Sequence, residues 1–180
     1  MHTIPMLFKI SALLINPMKR QTSRRPTSSL PESQNPQLNS TTGSAVAVTG
    51  ANVEKIPGLN TLSVSLARID YAPGGLNPPH THPRATEVVY VLEGELEVRF
   101  ITTANKLFSK TIMIGEVFVF PRVLVHFQKN NGESPASVLS AFNSQLPGTV
   151  SVAASLFATD HALPEDVLTK TQRWLIRLRK

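Results

Sequence analysis

The sequence predicts an all-β domain assembled from many short strands. Two observations lead to this prediction: segments that alternate polar and apolar residues, and Gly/Pro turns that separate them at intervals of about eight to twelve residues. The composition, with 41% hydrophobic and 17% charged residues in 180, is sufficient for a buried core and excludes wholesale disorder. Together these features are typical of an antiparallel sandwich or barrel.

The first 43 residues differ from the rest. They hold five of the 14 prolines and are rich in Ser, Thr, Asn and Gln, so we expect a low-complexity, disordered tail over residues 1–43. The apolar stretch Met6–Ile15 resembles the core of a signal peptide, but Lys9 interrupts it; an Arg- and Ser-rich targeting peptide is the alternative. Within the same segment, Asn39 begins an Asn-Ser-Thr triplet and is a candidate glycosylation site.

Charge and composition exclude several classes of function. The formal net charge of +6 comes from 18 basic and 12 acidic residues, but five basic residues lie in 1–25 and five in 170–180. The middle of the chain therefore has eight basic and twelve acidic residues, a net charge of −4, which argues against nucleic-acid binding. The chain has no cysteine, and no apolar run approaches the roughly 18 residues of a membrane-spanning helix.

The strands follow one another from residue 62 onward. Alternation predicts a strand at 62–66, which the Pro73-Gly74-Gly75 turn follows. The continuous apolar run Val88–Leu92 is typical of a strand buried on both faces, and after a tight Glu93-Gly94 connection the segment 95–101 alternates again. Further strands are predicted at 106–114, 117–120 and 137–142, a helix at 164–171, and a basic tail at 172–180.

Four residues with metal-ligand chemistry occupy strand contexts. His80 and His82 lie two residues apart and so share one face of a strand, and Glu87 points inward at the start of the next strand. About 40 residues later, His126 offers a third imidazole on another strand. Three imidazoles with one carboxylate suit a divalent metal with open coordination positions, such as Mn, Fe, Zn, Cu or Ni. A lone histidine is more often a hydrogen-bonded core residue or a surface residue than a metal ligand. The prediction therefore rests on the combination of all four residues.

The spacing of these residues resembles the two cupin motifs, and more closely the plant germins and germin-like proteins. The run from Pro73 to Glu87 is similar to the germin box, and the second segment reads Gly-x5-Pro-x4-His-x3-Asn. The resemblance covers about residues 44–171 and implies a cupin-type jelly-roll β-barrel with a short C-terminal helical segment. It also implies Mn(II) held by the four residues His80, His82, Glu87 and His126.

The chain departs from the family pattern in several places. Germins carry a cysteine pair before the barrel, and this chain has no cysteine. Val123 occupies a position that is normally glycine; if the backbone there has positive φ, a β-branched residue is costly and displacement of the strand that carries His126 is to be expected. Of the two asparagines that the resemblance assigns to oxalate binding, Asn77 is present but Ala67 replaces the other. The C-terminal helical part is also short.

Two functional hypotheses of different classes remain open from the sequence. The first is a redox enzyme, in which manganese supports superoxide dismutation; oxalate oxidation is disfavoured by Ala67. The second is a manganese-binding, defence-related or storage-like protein of the apoplast whose metal is structural and whose pocket is inert or takes a small ligand. The resemblance implies a secreted, extracellular glycoprotein, although the N-terminal signal is atypical.

We also expect the barrel to associate with further copies of itself. Val88, Tyr90 and Leu92 alternate with inward residues, so they point outward as an apolar row that a subunit contact explains better than exposure to water. A loop or the N-terminal segment lying over the row is the alternative. The resemblance implies dimers that close into hexamers through C-terminal helices, so at least a dimer is expected here and the short C-terminus leaves the hexamer open.

Overall fold

The computed structural model describes residues 45–178, so the expectations for residues 1–43, including glycosylation of Asn39, lie outside the described part. Ten strands and two α-helices make up the domain, with a short 3₁₀ helix at Pro57–Leu59. The strands are β1 (Val46–Ala51), β2 (Ser65–Tyr71), β3 (Leu76–Thr81), β4 (Glu87–Glu93), β5 (Glu95–Ile101), β6 (Leu107–Met113), β7 (Val117–Phe120), β8 (His126–Lys129), β9 (Ala136–Phe142) and β10 (Val150–Ser151), and the helices are α1 (Val152–Phe157) and α2 (Glu165–Leu178).

The strands form two five-stranded sheets in which every pairing is antiparallel. The first sheet has the order β1-β2-β9-β4-β7 and the second has the order β10-β3-β8-β5-β6. Strands that are neighbours in sequence therefore often lie in opposite sheets, as in a jelly roll. This confirms the predicted all-β cupin-type barrel.

The core lies between the inner faces of the two sheets. The first sheet contributes Ile69, Val89 and Val91, and these pack against Leu96 and Val98 of the second. Each fully buried aliphatic side chain of this kind stabilises the fold by roughly 1.5–3 kcal/mol relative to exposure. The two faces are thereby held together, and the polar residues His80, His82, Glu87 and His126 are buried as well.

Most predicted strands agree with the structure to within a residue or two, and the differences lie near turns. The strand predicted at 95–101 has those bounds, but the one predicted at 62–66 is wrong in position and spans Ser65–Tyr71. Thr61 and Ser63 have positive φ, which breaks the extended backbone before Ser65. The predicted helix at 164–171 continues to Leu178, and β1, β10 and α1 were not predicted.

Strand β4 has one buried and one exposed face, so the expectation that it is buried on both faces is wrong for the single chain. Glu87, Val89 and Val91 are almost fully buried, whereas Val88 and Tyr90 are 36% and 43% exposed. The outward direction predicted for the apolar row is therefore correct. Within residues 45–178, no helix is long and apolar enough to cross a membrane.

Candidate metal centre

The four predicted ligands converge inside the barrel. One donor atom from each of them lies within 4.8 Å of the donor atoms of the others, and all four side chains are buried. Antiparallel pairing of β3 with β8 sets His80 directly opposite His126, with ring centroids 4.3 Å apart. The centroid of His82, which follows the end of β3, lies 5.0 Å from that of His80. Glu87 begins β4 in the opposite sheet, so both sheets contribute to the cluster.

Backbone carbonyl groups fix the orientation of two of the imidazole rings. Nδ1 of His80 lies 2.7 Å from the carbonyl oxygen of Pro78, and Nδ1 of His126 lies 2.8 Å from that of Leu124. A carbonyl oxygen only accepts, so both Nδ1 atoms donate their protons, and Nε2 of each ring is the atom that faces the interior. This is the arrangement that fixes the tautomer of metal-ligating histidines.

Glu87 faces these nitrogens through one oxygen and is anchored through the other. Ser140 donates its hydroxyl proton to Oε1 of Glu87 at 2.7 Å. Oε2 lies 3.0 Å from Nε2 of His126 and 3.4 Å from Nε2 of His82. Burial raises the pKa of the Glu87 carboxyl, but the hydrogen bonds from His126 and His82 outweigh it and lower the pKa to about 2. The group is therefore an anionic carboxylate at neutral pH.

The donor set fits a divalent metal ion. Nε2 of His126 and the Glu87 carboxylate oxygen lie 3.0 Å apart, a contact that either a proton on Nε2 or a metal ion between the two atoms satisfies. A single carboxylate stands among three buried imidazoles, and a metal ion satisfies all of these donors at once. His80, His82, Glu87 and His126 would hold it, as the sequence predicted.

Val123 has the backbone conformation that the sequence analysis anticipated. Its φ is +73°, in the left-handed region that a β-branched residue rarely adopts. Thr81 donates its hydroxyl proton to the carbonyl oxygen of Val123 at 2.6 Å, and the Val123 amide lies 3.4 Å from the carbonyl oxygen of His82. These contacts join the ends of β3 and β8, and His126 keeps its place in the ligand cluster. The expected displacement of its strand is therefore wrong.

Replacing Val123 with glycine should stabilise the protein by about 1–2 kcal/mol, because glycine adopts positive φ without strain. Urea unfolding of the metal-free protein measures the change. Val119 is the matched control: it is a similarly exposed valine on β7, where glycine should destabilise the strand. Equal effects of the two substitutions would contradict the prediction.

Acid should destabilise the metal-free protein through His80. Burial lowers the pKa of His80 from 6.5 to about 4, and neighbouring His126 adds to the effect. The unfolded chain therefore binds this proton more readily than the folded protein, so the free energy of unfolding falls as the pH drops from about 6.5 to about 4. The loss should be at most about 3 kcal/mol. Urea unfolding across this pH range measures it, and His80→Asn should flatten the slope; an unchanged slope in that variant would refute the assignment.

A cavity of about 350 Å³ adjoins the cluster. Its lining includes the ligands His80, His82 and Glu87, together with Asn77, the predicted substrate-binding residue. Ala67, at the position where the resemblance expects a second asparagine, also lines the cavity. The structure thus places both residues of the predicted pair at the same cavity as the metal ligands.

Several residues that shape the site were not predicted from the sequence. Ser140 orients Glu87, the Thr149 hydroxyl lies 3.4 Å from Nδ1 of His82, and Phe120 stacks on His126 with ring centroids 4.4 Å apart. Gln128 is fully buried two residues after His126, and neither of its amide atoms has a hydrogen-bond partner among the described residues. Nothing in the local sequence marks Ser140 or Thr149, because their partners Glu87 and His82 lie 53 and 67 residues away in the chain.

Comparisons with known proteins agree with this architecture. The family model described as Cupin matches residues 32–174. Germin-like protein subfamily 2 member 2 of Arabidopsis thaliana is 90% identical over 134 residues, which are 74% of this chain and 60% of the relative. Nectarin-1 of Nicotiana langsdorffii x Nicotiana sanderae is 73% identical over 124 residues, 69% of this chain and 54% of the relative. The chain thus spans less than two thirds of the length of these relatives.

A solved structure from work on the mechanism of oxalate oxidase is similar in fold as well as in sequence. It is 50% identical, with a TM-score of 0.72 over 75% of this chain and 69% of that one. A second, from a recombinant oxalate oxidase in complex with glycolate, is 49% identical with the same TM-score and coverage.

Proposed function

Because the chain belongs to the germin-like proteins of the cupin family, we propose that it is a manganese-binding protein of the plant apoplast without oxalate oxidase activity. The observation that carries the proposal is the buried cluster of three imidazoles and one carboxylate, whose free donor atoms converge within 4.8 Å. A defence-related or storage-like role in the cell wall is part of the same proposal.

The chemistry of the donors supports Mn(II). His80, His82, Glu87 and His126 would hold a manganese ion, which would supply one-electron redox chemistry to a small molecule that reaches it. The residues of the chain exclude bulk water by their burial, and Ser140 keeps Glu87 aligned. The nitrogen-rich donor set also suits iron or zinc, so metal analysis is the decisive first measurement.

The cavity argues against oxalate oxidation. A dianion needs several donors beyond the metal to offset its desolvation, and the methyl group of Ala67 offers none where the family resemblance expects an amide. Of the two asparagines that the resemblance assigns to oxalate binding, only Asn77 is present. The oxalate oxidase activity of the structural relatives is therefore not proposed for this chain.

Superoxide dismutation is the second candidate function. The observation that favours it is the cavity beside the cluster, through which a small anion would reach a metal ion held by the four ligands. Superoxide needs no binding residues beyond an accessible redox metal, so the loss of the asparagine at position 67 does not affect this reaction.

The experiment combines metal analysis with an activity assay. Protein purified from a plant host should contain about one manganese ion per chain, and a superoxide assay with and without chelator then separates the two candidates. Chelator-sensitive dismutation supports the enzyme, whereas full manganese occupancy without activity supports the binding protein. Zinc alone at full occupancy would refute the manganese assignment.

We propose secretion and glycosylation as properties of this same protein. A fluorescent fusion should remain with the wall after the cell shrinks away from it, and glycosidase treatment should reduce the mass of the protein unless Asn39 is replaced by Gln. Fluorescence that retracts with the cell would refute an extracellular location.

The exposed face of the first sheet supports an oligomer. Val88, Tyr90 and Leu92 on β4 lie beside exposed Val117 and Val119 on β7, which makes a contiguous apolar surface larger than a scatter of single residues. We propose that a second copy of the chain covers this face, with a hexamer left as an outcome of the same measurement.

Tyr90→Lys should shift this association toward monomer by roughly tenfold or more in dissociation constant, since it places a charge in the apolar contact. Light scattering across a dilution series measures the mass. Leu107→Lys on the opposite sheet is the matched control and should leave the mass unchanged. A monomer mass for the unaltered protein at every concentration would rule the interface out.

A further inference from the structure

The segment 52–64, which joins β1 to β2, begins and ends at the cavity beside the metal centre. Asn52 at its start and Ser65 directly after its end both line this cavity. Pro147 and Thr149, in the loop that follows β9, line it as well. No residue of the segment is buried, so core packing does not hold it in place. A segment with few buried contacts opens at a lower free energy than the core strands.

Gln145, in the loop that follows β9, connects this segment to the rest of the barrel. Its Oε1 accepts a hydrogen bond from the Thr61 amide at 2.6 Å, and its Nε2 donates one to Oδ1 of Asn60 at 3.3 Å. Its carbonyl oxygen also accepts from the Val53 amide at 3.1 Å. Beyond the strand ladders at the two ends of the segment, these are its only hydrogen bonds to other parts of the chain within residues 45–178. The polar attachment of the segment therefore depends on Gln145.

Hydrogen bonds within residues 52–64 make the segment a single unit. Oδ1 of Asn52 accepts from the backbone amides two and three residues later, at 3.1 and 3.3 Å. The 3₁₀ helix at Pro57–Leu59 follows and adds hydrogen bonds of its own. A segment that is hydrogen-bonded to itself keeps its shape when it moves, so the change in backbone angles falls on the residues at its ends.

The backbone is strained where the segment leads into β2. The angle φ is +67° at Thr61 and +54° at Ser63, in the left-handed region that favours glycine. Residues other than glycine keep such a conformation only where the surrounding structure imposes it. The hydrogen bond from the Thr61 amide to Gln145 is such a constraint, so its release also relieves strain and favours movement of the segment.

The loop that carries Gln145 is itself anchored to the barrel on both sides of this residue. The Ser65 hydroxyl donates to the carbonyl oxygen of Ser144 at 2.7 Å, and Nε of Arg84 donates to that of Leu146 at 2.7 Å. Ser65 belongs to β2, and Arg84 lies in the connection between β3 and β4. The loop therefore stays in place, and residues 52–64 are the part that moves.

We propose that residues 52–64 are a lid over the cavity, that Gln145 holds the lid closed, and that its opening sets the rate at which a metal ion enters and leaves the centre. The inference rests on the proposed metal binding for only one of its two measurements. None of the four ligands lies on the lid. Opening therefore changes the rates of metal binding and release by the same factor and leaves the equilibrium affinity unchanged.

The first measurement is amide hydrogen exchange of the metal-free protein, in the unaltered chain and in Gln145→Ala. The substitution removes both side-chain hydrogen bonds but keeps the carbonyl oxygen that accepts from the Val53 amide. Exchange at Thr61 and at Val53 should both accelerate by about tenfold or more, because the lid opens as a unit. Acceleration at Thr61 alone would overturn the lid, since it would report only the loss of one hydrogen bond.

The second measurement is the release of manganese from the loaded protein into excess EDTA. Gln145→Ala should release and take up the metal about tenfold faster, with a dissociation constant within about twofold of that of the unaltered chain. Thr61→Asn should instead slow release about threefold, because asparagine keeps the amide donor and tolerates positive φ better than threonine. Gln172→Ala, at an exposed position of α2, is the matched control and should change neither rate.

Unaltered release from Gln145→Ala, or equal acceleration in Gln172→Ala, would overturn the inference. So would a loss of affinity in Gln145→Ala that accounts for the whole increase in the release rate, because Gln145 would then stabilise the metal site rather than the lid. A chain that takes up no manganese at all would refute the proposed function, whereas hydrogen exchange at Val53 would still decide whether the lid exists.

Discussion

Replacing His82 with alanine is expected to lower the affinity of the chain for manganese by about 100-fold or more. The substitution removes one of the three imidazoles, whose donor atom lies within 4.8 Å of the other ligand atoms, and leaves a three-ligand site. Loss of a hydrogen bond to a ligand already costs roughly 10- to 100-fold in metal affinity, so loss of the ligand itself should cost more. Equilibrium dialysis followed by elemental analysis measures the change.

Two further variants separate the metal site from general effects on folding. Ser140→Ala keeps all four ligands but removes the hydroxyl that anchors Glu87, and it should weaken manganese binding by roughly tenfold. His161→Ala is the control, because this histidine lies exposed and outside the cluster. Full metal occupancy in His82→Ala would be incompatible with the assigned ligands.

Gly94→Ala is expected to destabilise the fold by about 3 kcal/mol or more. Gly94 forms the tight connection between β4 and β5 with φ of +71°, a conformation that costs roughly 1–2 kcal/mol for other residues. In addition, a Cβ at this position lies 2.7 Å from the carbonyl oxygen of Pro135 and 3.0 Å from Cβ of Ala136. Overpacking of this kind adds roughly 1–3 kcal/mol, because the neighbouring backbone must move. The midpoint of urea unfolding measures the sum.

Gly115 and Gly50 are matched controls for the two contributions. Gly115 also has positive φ, but a Cβ there meets no atom within 4 Å, so Gly115→Ala should show only the conformational cost. Gly50 has neither feature, and Gly50→Ala should change stability by less than about 1 kcal/mol. If Gly94→Ala were no less stable than Gly115→Ala, the close approach of Pro135 would not matter energetically.

Local patterns predicted those strands whose two faces differ in chemistry. The segment 95–101 alternates polar and apolar residues without interruption, and its predicted and observed bounds agree. The segment 62–66 alternates equally well, yet the strand begins only at Ser65, because the positive φ of Ser63 is a property of the loop that no alternation reveals. The short β10 has two residues, too few for any periodicity.

The exposure of β4 shows a second limit of what the sequence can predict. The run Val88–Leu92 is apolar throughout, so hydrophobicity alone indicates burial on both faces. Within residues 45–178, however, Val88 and Leu92 are each 36% exposed. An apolar residue can be buried by its own chain or by another copy, and the sequence does not distinguish the two.

The sequence by itself predicted the four candidate ligands: residue chemistry and strand period single out His80, His82, Glu87 and His126, and the resemblance to the germin box implies the same set. Only the tertiary structure decided how they meet. The pairing of β3 with β8 sets His126 opposite His80, and β9 brings the hydroxyl of Ser140 to Glu87, 53 residues away in the chain. The physical reason is that the side of a strand on which a side chain lies follows from the alternation of neighbouring residues. The residue that it contacts depends instead on which distant strands pair through hydrogen bonds.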